Sequence, residues 1–255
     1  MFNLIEGTII LTGANGGLGS AIARQIASHQ QFAGYHNLYA VHAAASTSDL
    51  HKAIQPECSS HPHDVVSLNL ADLDNIRDLA KTINTRVSEG QLPPIRALIL
   101  NAVFQDFGNQ QWTGSFDTTF IANYLGHWLL TLLLLKSIDK SSAVPHSTSH
   151  DKRNEQTGAF DEEKYKTVII YPIVALSVPN GLVRSSSKLA TQVLNAAFDS
   201  DSELTTLPKT GYYFDGKPFE TSVDSRNAQR RDVVWKEGVK CARLKGDETI
   251  LCDWA

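Results

Sequence analysis

The chain has 255 residues, of which 42% are hydrophobic and 20% charged, a composition that favours one large domain over a disordered chain. Its net charge of -4 and pI near 6.1 argue against nucleic acid or an anionic membrane as the main partner, because neither attracts an acidic surface. Its three cysteines form no CxxC pair, which indicates a reducing, cytoplasmic location and gives no zinc signature.

Strand and helix patterns alternate through the first half of the chain. Short apolar runs predict buried strands at 7–12, 37–41, 65–70 and 95–100. Apolar residues at helical spacing predict helices from Leu18, over 73–87 and over 116–136, with a short helix between the second and third strands. This alternation implies right-handed βαβ units, so we predict an α/β fold: a doubly wound, Rossmann-like, mostly parallel sheet with helices on both faces.

The alternation weakens in the second half. Residues 137–165 are polar, and we interpret them as a surface insertion. A fifth strand is predicted within 167–177, where Pro172 should end or kink it. A helix follows over 186–198, and the remainder, 199–255, is a short and divergent C-terminal region.

No membrane-directed segment is expected. The start of the chain has neither a basic region nor a small-residue cleavage site, so it does not predict a signal peptide. The longest apolar stretch, 129–135, is too short to span a bilayer. The histidines of HPH at 61–63 have no further ligands at metal spacing and predict a solvated turn.

The segment TGANGGLG, residues 12–19, is rich in glycine. Gly13, Gly17 and Gly19 have the spacing GxxxGxG between a strand and a helix. Glycine lets the chain turn sharply and lets backbone N–H groups approach a pyrophosphate, while the helix N-terminus adds its positive dipole end. Tight turns of other kinds also use glycine, but the position after the first strand of a βαβ chain favours a dinucleotide loop.

The end of the second strand, AVHAAAS, indicates which dinucleotide is bound. An acidic residue there would accept from the 2′-hydroxyl of NAD, whereas a basic residue favours the 2′-phosphate of NADP. The segment has no acid, and His42 is its one potential cation. We therefore expect NADP(H), without excluding NAD(H); His42 as a plain surface histidine remains an equal alternative.

Five motifs together resemble the short-chain dehydrogenase/reductase superfamily, specifically its retinol-dehydrogenase-like and related fungal branch. They are TGANGGLG (12–19), NLADL (69–73), LILNAVF (98–104), NYLGHWLLTLLLL (123–135) and SSKLA (186–190). The resemblance is good over 1–136 and patchy afterwards. It implies a single dinucleotide-binding domain over 1–255, with NAD(P)(H) lying across the carboxyl ends of the strands.

The resemblance also assigns cofactor contacts by matching position. It places Asn69 beside the adenine and Asn101 at the cofactor ribose. The family usually has Asp at position 69, so Asn keeps the hydrogen bonding and loses the charge. The family's NAG motif is Asn101-Ala102-Val103 here, which adds side chains where backbone usually nears the cofactor. The full cofactor-binding set is Gly13, Asn15, Gly17, Leu18, Gly19, His42, Asn69, Asn101 and Lys188.

The family's chemistry implies a relay of tyrosine, lysine, serine and asparagine. Asn123 matches the asparagine and Lys188 the lysine, but Arg184 stands where the family has its proton-transferring tyrosine. Arginine stays protonated, so it donates hydrogen bonds without shuttling a proton. Arg184 could still polarise a carbonyl or hold a carboxylate; alternatively, it points to solvent.

The serine of the relay has two alignments. The stretch HSTSHD gives Ser147, whereas spacing before Arg184 gives Tyr171 or Pro172 and no serine. Tyr171 is either a displaced acid or a core residue, and Tyr165 is a poorer candidate. After Phe198 no strand ending in Pro-Gly follows, so a shortened or missing substrate lid is expected.

Three functional hypotheses follow from these motifs. The first is an NADP(H)-dependent oxidoreductase acting on a carbonyl/alcohol group of a small apolar molecule in specialised metabolism. The others are a catalytically silent pseudoenzyme that binds a cofactor or partner, and a non-redox catalyst with Arg184 and Lys188 as an electrophilic pair. The candidate catalytic residues are Asn123, Ser147, Tyr171, Arg184 and Lys188. The resemblance further suggests a homodimer through the 117–136 and 186–198 helices.

Overall fold

The computed structural model describes residues 6–44, 47–55, 61–105, 108–139, 168–170, 185–198, 212–214, 217–219 and 227–251. The strands are β1 (Gly7–Thr12), β2 (Tyr35–Val41), β3 (His63–Ser67), β4 (Ile95–Ile99), β5 (Trp112–Thr113), β6 (Phe116–Asp117), β7 (Val168–Ile170), β8 (Tyr212–Phe214) and β9 (Lys217–Phe219). The helices are α1 (Gly17–Ser28), α2 (Ser48–Ile54), α3 (Leu73–Ser88), α4 (Thr118–Ser137), α5 (Ser186–Phe198) and α6 (Ala228–Ala242), with a short 3₁₀ turn at Gln30–Phe32.

Five strands form one parallel sheet in the order β3-β2-β1-β4-β7. Every residue of the central strand β1 is buried, as expected of a parallel strand covered on both faces. Alternate residues of β1 enter two different cores: Ile10 faces one layer of helices, and Ile9 and Leu11 face the other. The predicted doubly wound α/β fold is therefore confirmed.

The two layers of helices have different members. One core contains apolar side chains of α3, α4 and α6, including Ile76 and Leu129. The other contains those of α1, α2 and α5, including Ile22 and Val193. The two helices proposed for a dimer interface, α4 and α5, thus lie on opposite faces of the sheet, and the homodimer stays a prediction.

Helix α4 is mostly buried inside the fold. Its 20 residues are long and apolar enough to cross a membrane, whereas the run 129–135 is too short, and 61% of its most apolar 18-residue window is buried inside the fold. Burial against β4 and α3 accounts for its leucines without a bilayer. Its second turn, Ile121–Leu125, is π-helical, a widening that is frequent at functional sites.

Two expectations from the sequence are corrected. The start of the predicted surface insertion is anchored: Ile138 is buried, and Asp139 forms an ion pair with Arg96 at 3.0 Å. The remainder of 137–165 lies outside the described residues. The predicted solvated turn at 61–63 is wrong for His61, which is 7% exposed and has its Nε2 3.0 Å from the Tyr39 hydroxyl, because the chain already pairs with β2 at Pro62, whose oxygen accepts from Asn37 N.

Two short antiparallel hairpins, β5-β6 and β8-β9, were not predicted, and β6 takes Phe116–Asp117 from the start of the helix predicted over 116–136, so that the helix begins at Thr118. Strand β3 also ends at Ser67, before the predicted limit of 70, because the chain turns at Asn69. The residues after that turn line the site described next. Among the described residues, no group of three His, Cys, Asp or Glu side chains could hold a metal ion.

Candidate functional site

A cavity of about 970 Å³ lies at the carboxyl ends of β1, β2, β3 and β4. Parallel α/β sheets bind ligands at this edge, where loops from neighbouring strands diverge. The lining comes from the glycine loop 12–19, from 40–43, 68–71 and 101–104, and from Gln111, Thr118 and Ala122. His42 is the single ionisable side chain that lines the cavity within the described part of the chain.

The glycine loop has two kinds of glycine. Gly13 has a φ of 67°, and a Cβ there would lie 2.7 Å from Ala102 Cα, while a Cβ on Gly19 would lie 2.1 Å from the Gly13 carbonyl oxygen. Gly17 differs, because a Cβ there would meet nothing within 4 Å and the residue faces the cavity. Gly13 and Gly19 are therefore required by the fold, whereas only a ligand would require Gly17.

Helix α1 begins in this loop with its first N–H groups uncapped by any side chain. Such a helix N-terminus suits an anion such as a pyrophosphate. Leu18 also lines the cavity. Asn15 lies there too, but its Oδ1 accepts from Leu50 N at 3.0 Å, so this side chain ties the loop to α2.

His42 is exposed at the end of β2, and its backbone oxygen accepts from Ser67 Oγ at 3.2 Å. Its ring stands at the place where a dinucleotide's adenosine ribose is read in this fold class. None of the lining residues described at this edge is a carboxylate, so no negative charge there would repel a 2′-phosphate.

Asn69 forms a tight turn at the edge of the cavity beside β3. Its Oδ1 accepts from Ala71 N at 3.0 Å, and its backbone N–H donates to Asn75 Oδ1 at 2.8 Å. The side chain of Asn69 thus holds together the turn that lines this edge of the cavity.

Asn101 lines the cavity but is used to brace the glycine loop. Its Nδ2 donates to the backbone oxygens of Thr12, at 3.0 Å, and Gly13, at 3.2 Å. Such a contact holds the loop after β1 against the loop after β4. Asn101 therefore reaches a ligand through its remaining atoms or through the loop it positions.

Asn123 lies in the π-helical turn of α4 and clamps the loop after β4. Its Oδ1 accepts from Phe104 N and its Nδ2 donates to Phe104 O, both at 2.7 Å. Both polar ends of the side chain are thus engaged with the backbone of Phe104. The side chain positions the 101–104 wall of the cavity.

A buried hydrogen-bond chain supports the same wall. Ala102 N donates to Thr12 Oγ1 at 3.0 Å, and Thr12 Oγ1 lies 3.1 Å from His127 Nε2. Burial lowers the pKa of His127 to about 4, and the backbone carbonyl of Asn123 opposes part of that shift. His127 is therefore neutral at physiological pH.

The structure does not bring Lys188 together with Asn123. Lys188 is exposed on α5, which packs against α1 on the opposite face from α4, and it does not line the cavity. Gln25 of α1 holds the start of α5 by donating to Ser187 O at 2.8 Å. Ser147, Tyr171 and Arg184 lie outside the described residues.

Sequence reasoning missed the residues that support the cavity wall. Thr12 and His127 were not proposed, nor were the lining residues Gln111 and Thr118. The spacing of Asn123 and His127 was a usable signal, because residues four apart on a helix share one face.

Comparisons with known proteins identify similar chains that are named as dehydrogenases. No family model matches the chain. It is 26% identical to the short-chain dehydrogenase iccH of Talaromyces variabilis, over 98% of this chain and 99% of that protein. It is 31% identical to retinol dehydrogenase 13 of Homo sapiens over 64% of this chain, but that match spans only 49% of the human protein.

A solved structure has the same fold. A metagenomic short-chain oxidoreductase, crystallised in complex with NADP, superposes with a TM-score of 0.50 at 17% identity, over 76% of this chain and 92% of that one. The alignment with the Talaromyces protein runs over 363 positions against 255 residues here. That relative therefore carries a substantial length of chain with no counterpart in this one.

Proposed function

Because the chain belongs to the short-chain dehydrogenase/reductase superfamily, we propose that it binds NADP(H) in this cavity and interconverts a carbonyl and an alcohol on a small apolar molecule. The glycine loop carries the proposal: Gly13 and Gly19 shape a turn no other residue fits, and Gly17 leaves the α1 N-terminus open to the cavity. Specialised metabolism and a cytoplasmic location belong to the same proposal.

The residues that line the cavity suit each part of such a cofactor. The uncapped start of α1 would hold the pyrophosphate, His42 the phosphorylated ribose, and the 68–71 turn the base. The wall at 101–104, clamped by Asn123 and Thr12, would face the nicotinamide half. When bound, the cofactor supplies or accepts the hydride.

The proton has no donor among the described lining residues near that wall. Gln111 and Thr118 can donate hydrogen bonds there but do not titrate near neutral pH. Tyr171 and Arg184 remain the proposed partners of the substrate oxygen: Tyr171 as the acid, or Arg184 as a cation that polarises the carbonyl while water supplies the proton.

A second candidate is a catalytically silent dinucleotide-binding protein. The exposed position of Lys188 on α5 favours it, because a lysine outside the cavity cannot lower the pKa of a proton donor there. The replacement of the family's tyrosine by Arg184 favours it as well. The two candidates share the cofactor and differ in turnover.

Binding of NADPH and NADH to the purified protein, followed by nicotinamide fluorescence and calorimetry, tests the shared part. Gly17→Ala should leave the unfolding temperature unchanged but weaken NADPH binding at least tenfold, since its methyl group would meet only the ligand. Gly246→Ala is the matched control: its added Cβ also meets nothing within 4 Å, and it lies away from the cavity. Equal affinities in both variants would contradict the cofactor site.

A panel of apolar ketones with NADPH then separates the two candidates. Measurable turnover that is lost in Tyr171→Phe or Arg184→Ala supports the oxidoreductase. Binding without turnover, and turnover gained in Arg184→Tyr, supports the silent relative.

A further inference from the structure

Val103 is an exposed apolar residue in the wall of the cavity. It is 54% exposed and lies in the loop after β4, whereas the apolar residues of β4 itself are buried. Apolar surface gains free energy when a ligand removes it from water, and binding pockets are lined mainly by such side chains. Val103 therefore offers a ligand an apolar contact that the protein's own core does not use.

Hydrogen bonds hold the chain on both sides of Val103. Ala102 N donates to Thr12 Oγ1 at 3.0 Å, and the backbone of Phe104 exchanges two hydrogen bonds with the side chain of Asn123, both at 2.7 Å. Because its two neighbours in the chain are held, Val103 cannot move away from the cavity without breaking one of these contacts. A ligand on this side of the cavity therefore meets a fixed apolar surface.

The side chains that line this side of the cavity are uncharged: Ala102, Val103, Phe104, Gln111, Thr118 and Ala122. Of the lining residues in the described part of the chain, only His42 is ionisable, and it follows β2. The wall at 101–104 follows β4, and β1 lies between these two strands, which places them about 10 Å apart. A cation bound against the wall would find no opposite charge among these side chains.

The strand order assigns this wall to the nicotinamide half of a dinucleotide. A doubly wound sheet binds a dinucleotide across the crevice where the strand order reverses, with one nucleotide on each side. In the order β3-β2-β1-β4-β7 the reversal lies between β1 and β4. Because the adenosine ribose is read at the end of β2, the nicotinamide lies on the other side, against the wall after β4.

The reduced and oxidised forms of this cofactor differ in the charge of one ring. The nicotinamide ring of NADP⁺ carries a positive charge and that of NADPH is neutral, whereas the phosphates, sugars and adenine are the same in both. Moving a charged group out of water costs free energy unless a partner compensates, but a neutral ring gains from burial against an apolar side chain. An apolar wall therefore discriminates against the oxidised form.

We propose that Val103, held in the wall at 101–104, selects the neutral, reduced nicotinamide, so that the protein binds NADPH more tightly than NADP⁺. This proposal rests on the proposed cofactor site and adds a direction to the proposed function. A protein that retains the reduced cofactor and releases the oxidised one is suited to reducing a carbonyl rather than to oxidising an alcohol.

Dissociation constants of wild type and Val103→Asp for NADPH and NADP⁺, measured by calorimetry, test the proposal. We expect wild type to bind NADPH at least tenfold more tightly than NADP⁺. Val103→Asp should reduce that ratio severalfold, because the carboxylate attracts the cationic ring. It repels the phosphates of both forms equally, so the ratio isolates the ring. Val103→Asn, which has the same shape without the charge, should keep a ratio close to that of wild type.

Two controls separate the wall from the rest of the protein. Val233 is 59% exposed on α6 and does not line the cavity, so Val233→Asp makes the same change elsewhere and should leave both dissociation constants unchanged. The fragment 2′,5′-ADP has no nicotinamide and should bind wild type and Val103→Asn with equal affinity. Unfolding temperatures of all variants within a few degrees of wild type would show that the fold is preserved.

Equal affinity of wild type for NADPH and NADP⁺, or the same ratio in wild type and Val103→Asp, would overturn the inference while leaving the cofactor site intact. Weaker binding of 2′,5′-ADP by Val103→Asn would place Val103 beside the adenosine and overturn it as well. If wild type bound neither form of the cofactor, the proposed function would fail and the inference with it.

Discussion

His127 is 1% exposed in α4, and its Nε2 lies 3.1 Å from Thr12 Oγ1. Thr12 Oγ1 also accepts from Ala102 N, so the imidazole is linked through the hydroxyl to the loop after β4. Because His127 is buried, it stays neutral and has a structural role, whereas an exposed histidine would titrate near neutral pH.

Acid should begin to destabilise the protein near pH 6.5, which is above the pH range in which carboxylates titrate. Burial lowers the pKa of His127 and of His61 to about 4, from 6.5. Between pH 6.5 and 4 the unfolded chain binds protons that the folded chain does not, so the free energy of unfolding falls as the pH falls. Each histidine should contribute about 3 kcal/mol to that fall. Urea unfolding at pH 7 and pH 4.5 measures it.

Variant His127→Gln, which cannot titrate, isolates one of the two contributions. Its stability at pH 7 will be lower, but its loss between pH 7 and 4.5 should be smaller than that of wild type. An identical loss in both proteins would show that His127 is protonated in the folded state.

The exposed ring of His42 at the end of β2 should determine cofactor preference. Replacing it by Asp places a carboxylate where it repels a 2′-phosphate and accepts from a 2′-hydroxyl. We expect His42→Asp to weaken NADPH binding at least tenfold and to strengthen NADH binding. His42→Asn serves as the uncharged control, and parallel changes for the two cofactors in His42→Asp would contradict this role.

At the scale of elements, helix α4 contributes both to the core and to the wall of the cavity. Its leucines fill the core beneath β4, while the π-helical turn projects Asn123 towards the loop after β4. An apolar helix was predicted from its composition, but the widened turn was not. The turn aligns the amide of Asn123 with both backbone groups of Phe104.

Removing that clamp should affect the cavity as well as stability. Asn123→Ala leaves two backbone groups of Phe104 without their partner, a loss of about 1 to 3 kcal/mol in the free energy of unfolding. The freed loop should also weaken NADPH binding severalfold. Calorimetric titration and urea unfolding of the same preparation measure both effects.

Asn84→Ala provides the comparison. Asn84 donates to Leu133 O at 2.9 Å from α3 to α4, away from the cavity. Its loss should lower stability without changing the NADPH dissociation constant. If both variants weakened NADPH binding equally, the effect of Asn123 would be general loosening of α4.

At the scale of the whole molecule, the cavity joins four loops that are distant in sequence. A ligand bound across them stabilises only the folded state, by about 2.7 kcal/mol when its concentration is 100 times its dissociation constant. We expect NADPH to raise the unfolding temperature of wild type and of Gly246→Ala, and to have much less effect on Gly17→Ala. Thermal unfolding at increasing NADPH concentration measures this, and the same rise in Gly17→Ala would contradict it.

Much of the fold was accessible from the sequence because it depends on local patterns. The β-branched run at 7–12, the glycine spacing after it and the apolar spacing of α3 and α5 each report the environment of their own segment. The glycine loop could be recognised because a Cβ at Gly13 or Gly19 would clash with backbone atoms, so these positions need glycine.

The sequence by itself determined the doubly wound sheet, its order of elements and the glycine loop, since hydrophobic period and backbone sterics are encoded residue by residue. Only the tertiary structure decided which face of the sheet each helix covers, and hence that Lys188 lies away from Asn123. It alone paired Thr12 with His127 and Asn69 with Ala71. Such contacts depend on long-range packing and on the direction of single hydrogen bonds, and one-dimensional patterns specify neither.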